Sequence, residues 1–312
     1  MSHKTHTYIT RDNQEIFYYH WKSPINKPKG IVQIAHGMGE HAGRYESFAI
    51  FLQKQGFEIY ANDHRIHGKS VKSKEQLGVY HGSNYFEDAV EDMKEFSNII
   101  KTEHPNEKLI LFGHSMGSFF SREYVTRYGE DVKFLVLSGT ASFIKGIGTI
   151  GLAGANVVKF FKGGTASNKT MKAMFFTEFN KKFKPNRTKV DWISSDKHQV
   201  DLFDADPYRI EDFSTNVFID ILKGSKKINN KKAFESTPKT TAIYMFAGDK
   251  DPVGEMGKGV KKVAKQYKQA GVNDLTLNLY KGGRHEMLNE VNKEEVEEDF
   301  MNWLNLKLEQ SN

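Results

Sequence analysis

Short apolar runs rich in Ile, Val, Leu, Phe and Tyr recur along the chain at Glu15–His20, Gly30–Ala35, Phe57–Asn62, Lys108–Phe112, Val132–Gly139, Thr241–Ala247 and Asp274–Tyr280. Runs of this length with little polar alternation read as strands covered on both faces. Between them the apolar positions move to three- and four-residue spacing, which predicts helices over Phe86–Glu103, Glu255–Gln269 and Lys293–Leu308, with Ser118–Tyr128 continuing as another. Strand and helix alternate in the manner of an α/β fold with a mostly parallel, doubly wound sheet. The alternation fails between Ala141 and Pro238, where helical patterning and loops replace the next strand. That break predicts a helical cap over residues 141–238, inserted into a core built from residues 1–140 and 239–312. Within the cap, the Lys/Asn-rich run Lys223–Lys232 reads as a solvated surface loop.

Composition narrows the class. The 312 residues are 38% hydrophobic and 12% aromatic, enough for a sizeable core. No cysteine is present, which excludes disulfides, thiol catalysis and Cys-ligated zinc. Met1–Thr7 has no apolar signal-like run, and no stretch approaches the ~20 apolar residues needed to span a bilayer. A cytoplasmic enzyme is the expectation.

Charge is uneven. Residues 141–238 hold 17 Lys/Arg against 10 Asp/Glu, a net of +7, leaving 28 against 29 for the rest of the chain. In the same segment Phe143, Ile147, Ile150, Gly154, Val157 or Val158, and Phe161 recur at helical spacing beside Lys145, Lys159 and Lys162. Two readings stand: a cap helix that buries this face on the core, or an interfacial helix that rests on anionic lipid. The basic residues belong to no recognisable nucleic-acid-binding module, so nucleic acid is not an expected partner.

The candidate chemistry begins at Leu109–Phe112, which runs into Gly113-His114-Ser115-Met116-Gly117. This is the G-x-S-x-G pattern of a nucleophile elbow in its required setting, strand before and helix after. A serine hydroxyl is a weak nucleophile and needs a base held by an acid, which on this architecture follow in the order Ser, acid, His. After the aspartates of Gly248-Asp-Lys-Asp-Pro252 only one histidine remains, His285 in Gly282-Gly-Arg-His-Glu286. Asp249 and Asp251 are both open as the acid. Asp251 is favoured, because it lies one step deeper in a loop stiffened by Pro252, while Asp249 abuts Gly248 as a turn-former does. Acyl transfer also needs two backbone N–H groups aimed at the developing oxyanion. Met116, following the nucleophile, supplies one, and Met38, in the loop His36-Gly-Met-Gly-Glu-His41, fits the other.

Two patterns mislead. Gly146-Ile-Gly-Thr-Ile-Gly151 matches G-x-G-x-x-G, but it follows no strand directly and Lys169-Thr170 stand where an acidic residue is required. His36 with His41, and Asp63-His64 with His67, resemble metal-ligand clusters but lie in the oxyanion loop and the loop after Asn62, so hydrogen-bonded structural histidines are expected and no cofactor is implied.

With these pieces located, the chain resembles the monoacylglycerol lipase and lysophospholipase branch of the α/β-hydrolases, sometimes grouped with serine aminopeptidases. The resemblance rests on His36–Tyr45, Asn62-Asp-His-Arg-Ile-His-Gly-Lys-Ser70, the elbow, Trp192-Ile-Ser-Ser-Asp196, Asp204-Ala-Asp-Pro207 and the Asp251 and His285 loops. The family usually carries a glycine where this chain has Ile66. The resemblance implies an α/β-hydrolase fold and hydrolysis of a carboxylic ester bearing one acyl chain, whereas the residue spacing alone points only to acyl transfer by serine. A peptidase or amidase of the same fold would need an acidic pocket for a free amino terminus, for which Asp201, Asp204 and Asp206 are candidates. A non-catalytic receptor would need no base.

Overall fold

The computed structural model describes residues 3–143, 145–167 and 177–310. Eight strands, β1 (Lys4–Ile9), β2 (Glu15–Trp21), β3 (Ile31–Ala35), β4 (Glu58–Asn62), β5 (Leu109–His114), β6 (Val132–Ser138), β7 (Ala242–Gly248) and β8 (Leu275–Tyr280), form one sheet. Their order is β1-β2-β4-β3-β5-β6-β7-β8, antiparallel at β1/β2 and β2/β4 and parallel elsewhere. This is the α/β-hydrolase fold expected from the sequence.

The central strands are apolar throughout because both their faces are covered. On β5, Ile110 and Phe112 enter a core shared with Phe48, Leu52, Phe300 and Leu304, from the helices Glu46–Lys54 and Lys293–Glu309. Leu111, between them, faces the opposite core with Met93, Phe120, Phe218 and Val263, from the helices Tyr85–Glu103, Met116–Tyr128, Thr215–Ile228 and Lys258–Gln269. β1 left no signal in the hydrophobic pattern because only Tyr8 of its six residues is buried.

Two boundaries differ from expectation. The helix expected from Glu255 starts at Lys258, because Glu255, Met256 and Gly257 take φ of 54°, 54° and 81°, a left-handed turn that no α-helix accommodates. The Lys223–Lys232 run is not a loop: it finishes the helix Thr215–Ile228 and starts Lys231–Ser236. The break between them is capped by Asn230, whose side chain accepts from the Ala233 N–H at 2.9 Å, so its lysines are the solvated face of two helices.

Among the described residues, 141–238 adds no strand to the sheet, only helices. Thr215–Ile228 packs through Val217, Phe218 and Leu222 on the core beside Phe86 and Phe120. Lys145–Lys162 buries Gly151 and Ala155 and leaves Ile150, Val157 and Phe161 exposed, so this part of the apolar stripe seen in the sequence faces away from the core, while Phe143, before the helix, is buried. The Lys145 and Ile147 side chains lie outside the described residues. No described helix is long and apolar enough to cross a membrane.

Candidate active site

The parallel strands deliver their C-terminal ends to one side of the sheet, where ligand sites of this architecture form. Ser115 follows β5 and precedes the helix Met116–Tyr128, with φ 50° and ψ −117°, a conformation L-residues rarely adopt. Its N–H is held by the Ser138 carbonyl at 2.9 Å, and its side chain makes no cap bond. The flanking glycines are needed for contact: a Cβ on Gly117 would lie 2.1 Å from the Ala35 carbonyl oxygen, and one on Gly113 would lie 2.4 Å from Ser121 Oγ.

Beyond β7, Asp251 is fully buried and its Oδ1 accepts from the Val253 N–H at 2.8 Å. The same oxygen lies 3.0 Å from His285 Nδ1, beyond β8. Asp249 instead accepts from the Gly282 N–H at 2.8 Å and braces the turn there. Burial works against charge on His285, but the Asp251 carboxylate, its hydrogen bond, and the charges of Glu286 and Glu40 outweigh it and raise the imidazole above its ordinary 6.5. Ser115 and His285 line one cavity of about 600 Å³ together with Met38, Met116 and Trp192.

The loop after β3 closes over Ser115: a Cβ on Gly37 would come within 3.2 Å of Ser115 Cβ. In that loop the Gly37 N–H donates to Glu40 Oε1 at 2.6 Å and the Gly39 N–H to His67 Nε2 at 3.4 Å. The Met38 N–H between them has no partner among the described residues. Met116 opens its helix, so its N–H has no carbonyl one turn back. Of the histidines that looked like metal ligands, buried His36 bonds the Gly37 carbonyl at 2.8 Å and takes the His64 N–H at 2.9 Å, and buried His67 takes the Gly39 N–H. Both ring nitrogens of buried His64, by contrast, have no hydrogen-bond partner among the described residues, unlike the hydrogen-bonded histidine expected there. Burial lowers His64 to about 3 and His67 to about 4, which keeps both neutral at pH 7.

Ile66, where the family usually has glycine, sits at φ 65° and is buried. A β-branched residue there carries backbone strain that glycine avoids. The insert motifs grip the site loops. The Ile193 carbonyl accepts from the Glu286 N–H at 2.7 Å, Ser194 Oγ donates to the Asn289 carbonyl at 2.7 Å, and Asp206 meets His41 at 2.9 Å.

Sequence reasoning missed one arrangement. Arg44 donates to Glu40 Oε2 at 2.7 Å and forks onto Glu286 at 2.9 and 2.7 Å, so one buried guanidinium ties the Met38 loop to the residue beside His285. Glu40 and Arg44 stand four apart and could be paired from the sequence; Glu286 could not. Burial opposes charge on Glu286, yet Arg44 holds its carboxyl down to about 2, whereas at Glu40 burial prevails and the carboxyl is raised. Arg44→Met leaves two carboxylates buried without their cation and is expected to cost about 3–5 kcal/mol in urea unfolding. A loss under about 1 kcal/mol, the size of an exposed pair, would show that the clamp does not hold these loops.

Comparisons with known proteins agree with this architecture. The family described as serine aminopeptidase, S33, matches residues 26–292. A monoacylglycerol lipase of Mycolicibacterium smegmatis is 28% identical over 304 residues, covering 96% of each chain. A monoglyceride lipase of Mus musculus is 25% identical over 285 residues, covering 91% of this chain and 84% of its own. Among solved structures, a highly thermostable carboxyl esterase from Bacillus coagulans in complex with glycerol superposes with a TM-score of 0.91 at 27% identity, covering 99% of both chains. With the fold and a family match across most of its length in agreement, the chain belongs to the serine aminopeptidase S33 family of α/β-hydrolases, in which it is similar to the monoacylglycerol lipases.

Proposed function

We propose that this protein is a carboxylic ester hydrolase acting on single-acyl-chain lipids, monoacylglycerol or lysophospholipid, through an acyl-enzyme. The observation that carries the reading is the buried His285–Asp251 pair, 3.0 Å apart, opening on the same cavity as Ser115 on its elbow. Ser115 Oγ attacks the ester carbonyl as His285 Nε2 takes its proton, with Asp251 fixing the tautomer through Nδ1. The oxyanion is received by the Met38 and Met116 amides, each worth about 3 kcal/mol of barrier. The alcohol leaves with the proton from His285; water, deprotonated by the same imidazole, then attacks the acyl-enzyme and releases the acid and Ser115. No cofactor takes part in this sequence.

The substrate class is supported by the relatives named above and by the cavity wall, where Met38, Phe119, Phe143, Phe218 and Leu222 offer an apolar surface to an acyl chain. The aminopeptidase reading loses support from the acidic candidates, which are engaged elsewhere: Asp201 with Arg187, Asp204 with Arg209, and Asp206 with His41. The carboxylates that do line the cavity are paired as well, Glu40 and Glu286 with Arg44 and Glu211 with Arg209, while Lys184 and Lys189 line it too. A receptor role would give no use to the oriented imidazole. Turnover on a p-nitrophenyl ester chain-length series, beside monoacylglycerol, lysophospholipid and an aminoacyl-anilide, tests the reading. Ester hydrolysis with anilide untouched is expected, and preference for the anilide would overturn it.

The exposed stripe supports peripheral contact with anionic membrane. Ile150 is 72% exposed, Val157 57%, Phe160 84% and Phe161 78%, flanked by Lys159 and Lys162. An interfacial helix gains from apolar insertion and from charge, the latter screened over a Debye length of ~8 Å at physiological salt. Sedimentation with phosphatidylglycerol vesicles is expected at low salt, reduced by added salt and by combined Lys159→Glu and Lys162→Glu, with turnover of a short soluble ester unchanged. Binding indifferent to both would mean that the enzyme takes its substrate from water.

A further inference from the structure

At the opposite end of the sheet, where β4 begins, four side chains with metal-binding atoms crowd around Tyr60. His20 Nε2 lies 2.7 Å from Glu58 Oε1, and the ligand atoms of His20, Glu58 and Glu103 all lie within 4.8 Å of one another. His104 Nε2 stands 3.4 Å from the same Glu58 oxygen. The Tyr60 hydroxyl is 3.1 Å from Glu58, 3.2 Å from Glu103 and 3.1 Å from His104, yet it has a single proton to share among them.

Charge makes the cluster unusual. Two carboxylates meet here, one of them 4% exposed, and among the described residues no lysine or arginine pairs with either; their only cationic options are imidazoles. A nearly buried carboxylate beside a second one is costly unless a cation compensates. Two other carboxylate clusters have an arginine: Arg65 serves Asp92, Asp12 and Asp88, and Arg44 serves Glu40 and Glu286.

We propose that His20, Glu58, Glu103 and His104 bind a zinc-type divalent ion that ties β2 and β4 to the end of the helix Tyr85–Glu103. Two imidazole nitrogens and two carboxylate oxygens are a borderline donor set that suits zinc rather than calcium, which takes 6–8 oxygens. Ligands ~2.1 Å from zinc in a tetrahedron stand ~3.4 Å apart. His20 and His104 lie 2.7 and 3.4 Å from the same Glu58 oxygen and the ligand atoms of His20, Glu58 and Glu103 lie within 4.8 Å of one another, so side-chain rotations, that of His104 above all, close the shell. The site's role is structural. β2 pairs with β1 and β4 only at this antiparallel end of the sheet, and the ion would fasten that edge to the helix that leads into β5. Glu103 is exposed and His104 half-buried, so an ion can enter from solvent.

The test is zinc titration of EDTA-treated, dialysed full-length protein by calorimetry, with thermal unfolding and the visible spectrum of the cobalt-substituted form as second readouts. One equivalent of zinc is expected to bind saturably and raise the Tm, with a tetrahedral cobalt spectrum, and to weaken at least tenfold in both Glu103→Gln and His104→Gln. Both positions are solvent-accessible, and circular dichroism verifies that the variants fold. Ester turnover is expected to be the same in wild type and variants, which separates this site from the Ser115 site. Absence of saturable binding, or binding unchanged in both variants, would overturn the assignment and leave a hydrogen-bonded network.

Discussion

Ser115→Ala is expected to lower ester turnover by roughly 10⁶-fold, the loss seen when the nucleophile of a serine triad is removed, while leaving the unfolding midpoint near wild type. The structural side is undemanding, because the Ser115 side chain caps nothing and its N–H bond to the Ser138 carbonyl is kept in alanine. A fluorophosphonate probe is expected to label Ser115 alone. The nearby hydroxyls are committed: Ser118 Oγ donates to the Ser115 carbonyl at 2.6 Å, and Ser138 Oγ lies 3.0 Å from His114 Nδ1, both residues buried. Mass spectrometry of the labelled peptide decides the matter. Label on Ser118 or Ser138, or an alanine variant that still turns over ester at the wild-type rate, would remove Ser115 from the mechanism.

How far the sequence could be read follows from what each signal depends on. The inner parallel strands were legible because burial on both faces leaves an unbroken apolar run, and all seven runs became strands within two residues at their ends. β1 was not legible, because an edge strand exposed on nearly every residue has no pattern to show. The start of the helix Lys258–Gln269 was misjudged because positive φ at Glu255 and Met256 leaves no mark in hydrophobicity. Among the proposed site residues, those tied to a backbone event carry the clearest sequence signal: Ser115 by its elbow, and His285 and Asp251 by loops after strands in a fixed order. Arg44 was harder. Its partner Glu286 lies 242 positions away, and nothing local announces that a guanidinium from the loop after β3 will meet it. The helix Lys145–Lys162 shows the remaining limit: spacing revealed an apolar face at Ile150, Val157 and Phe161, but only packing shows that Ala155 turns inward and these three outward.

The two aspartates of the β7 loop offer an internal comparison. Asp251→Asn is expected to lower kcat by roughly 10⁴-fold, because an amide holds the imidazole in the wrong tautomer and cannot stabilise the imidazolium. Asp249→Asn is expected to cost far less, since its carboxylate only accepts the Gly282 N–H at 2.8 Å, a bond the asparagine carbonyl can keep. The pH profile adds a second readout. His285 must be neutral to accept the serine proton, and its imidazole is held above the ordinary 6.5, so wild-type kcat/KM is expected to fall on acidification along a limb lying above pH 6.5. In Asp251→Asn the charge that offsets burial is gone, and the fully desolvated imidazole is expected to protonate only at lower pH, moving the residual activity's limb downward. An acid limb that stays in place in Asp251→Asn while shifting in Asp249→Asn, or a larger loss of kcat in the latter, would transfer the acid's role to Asp249.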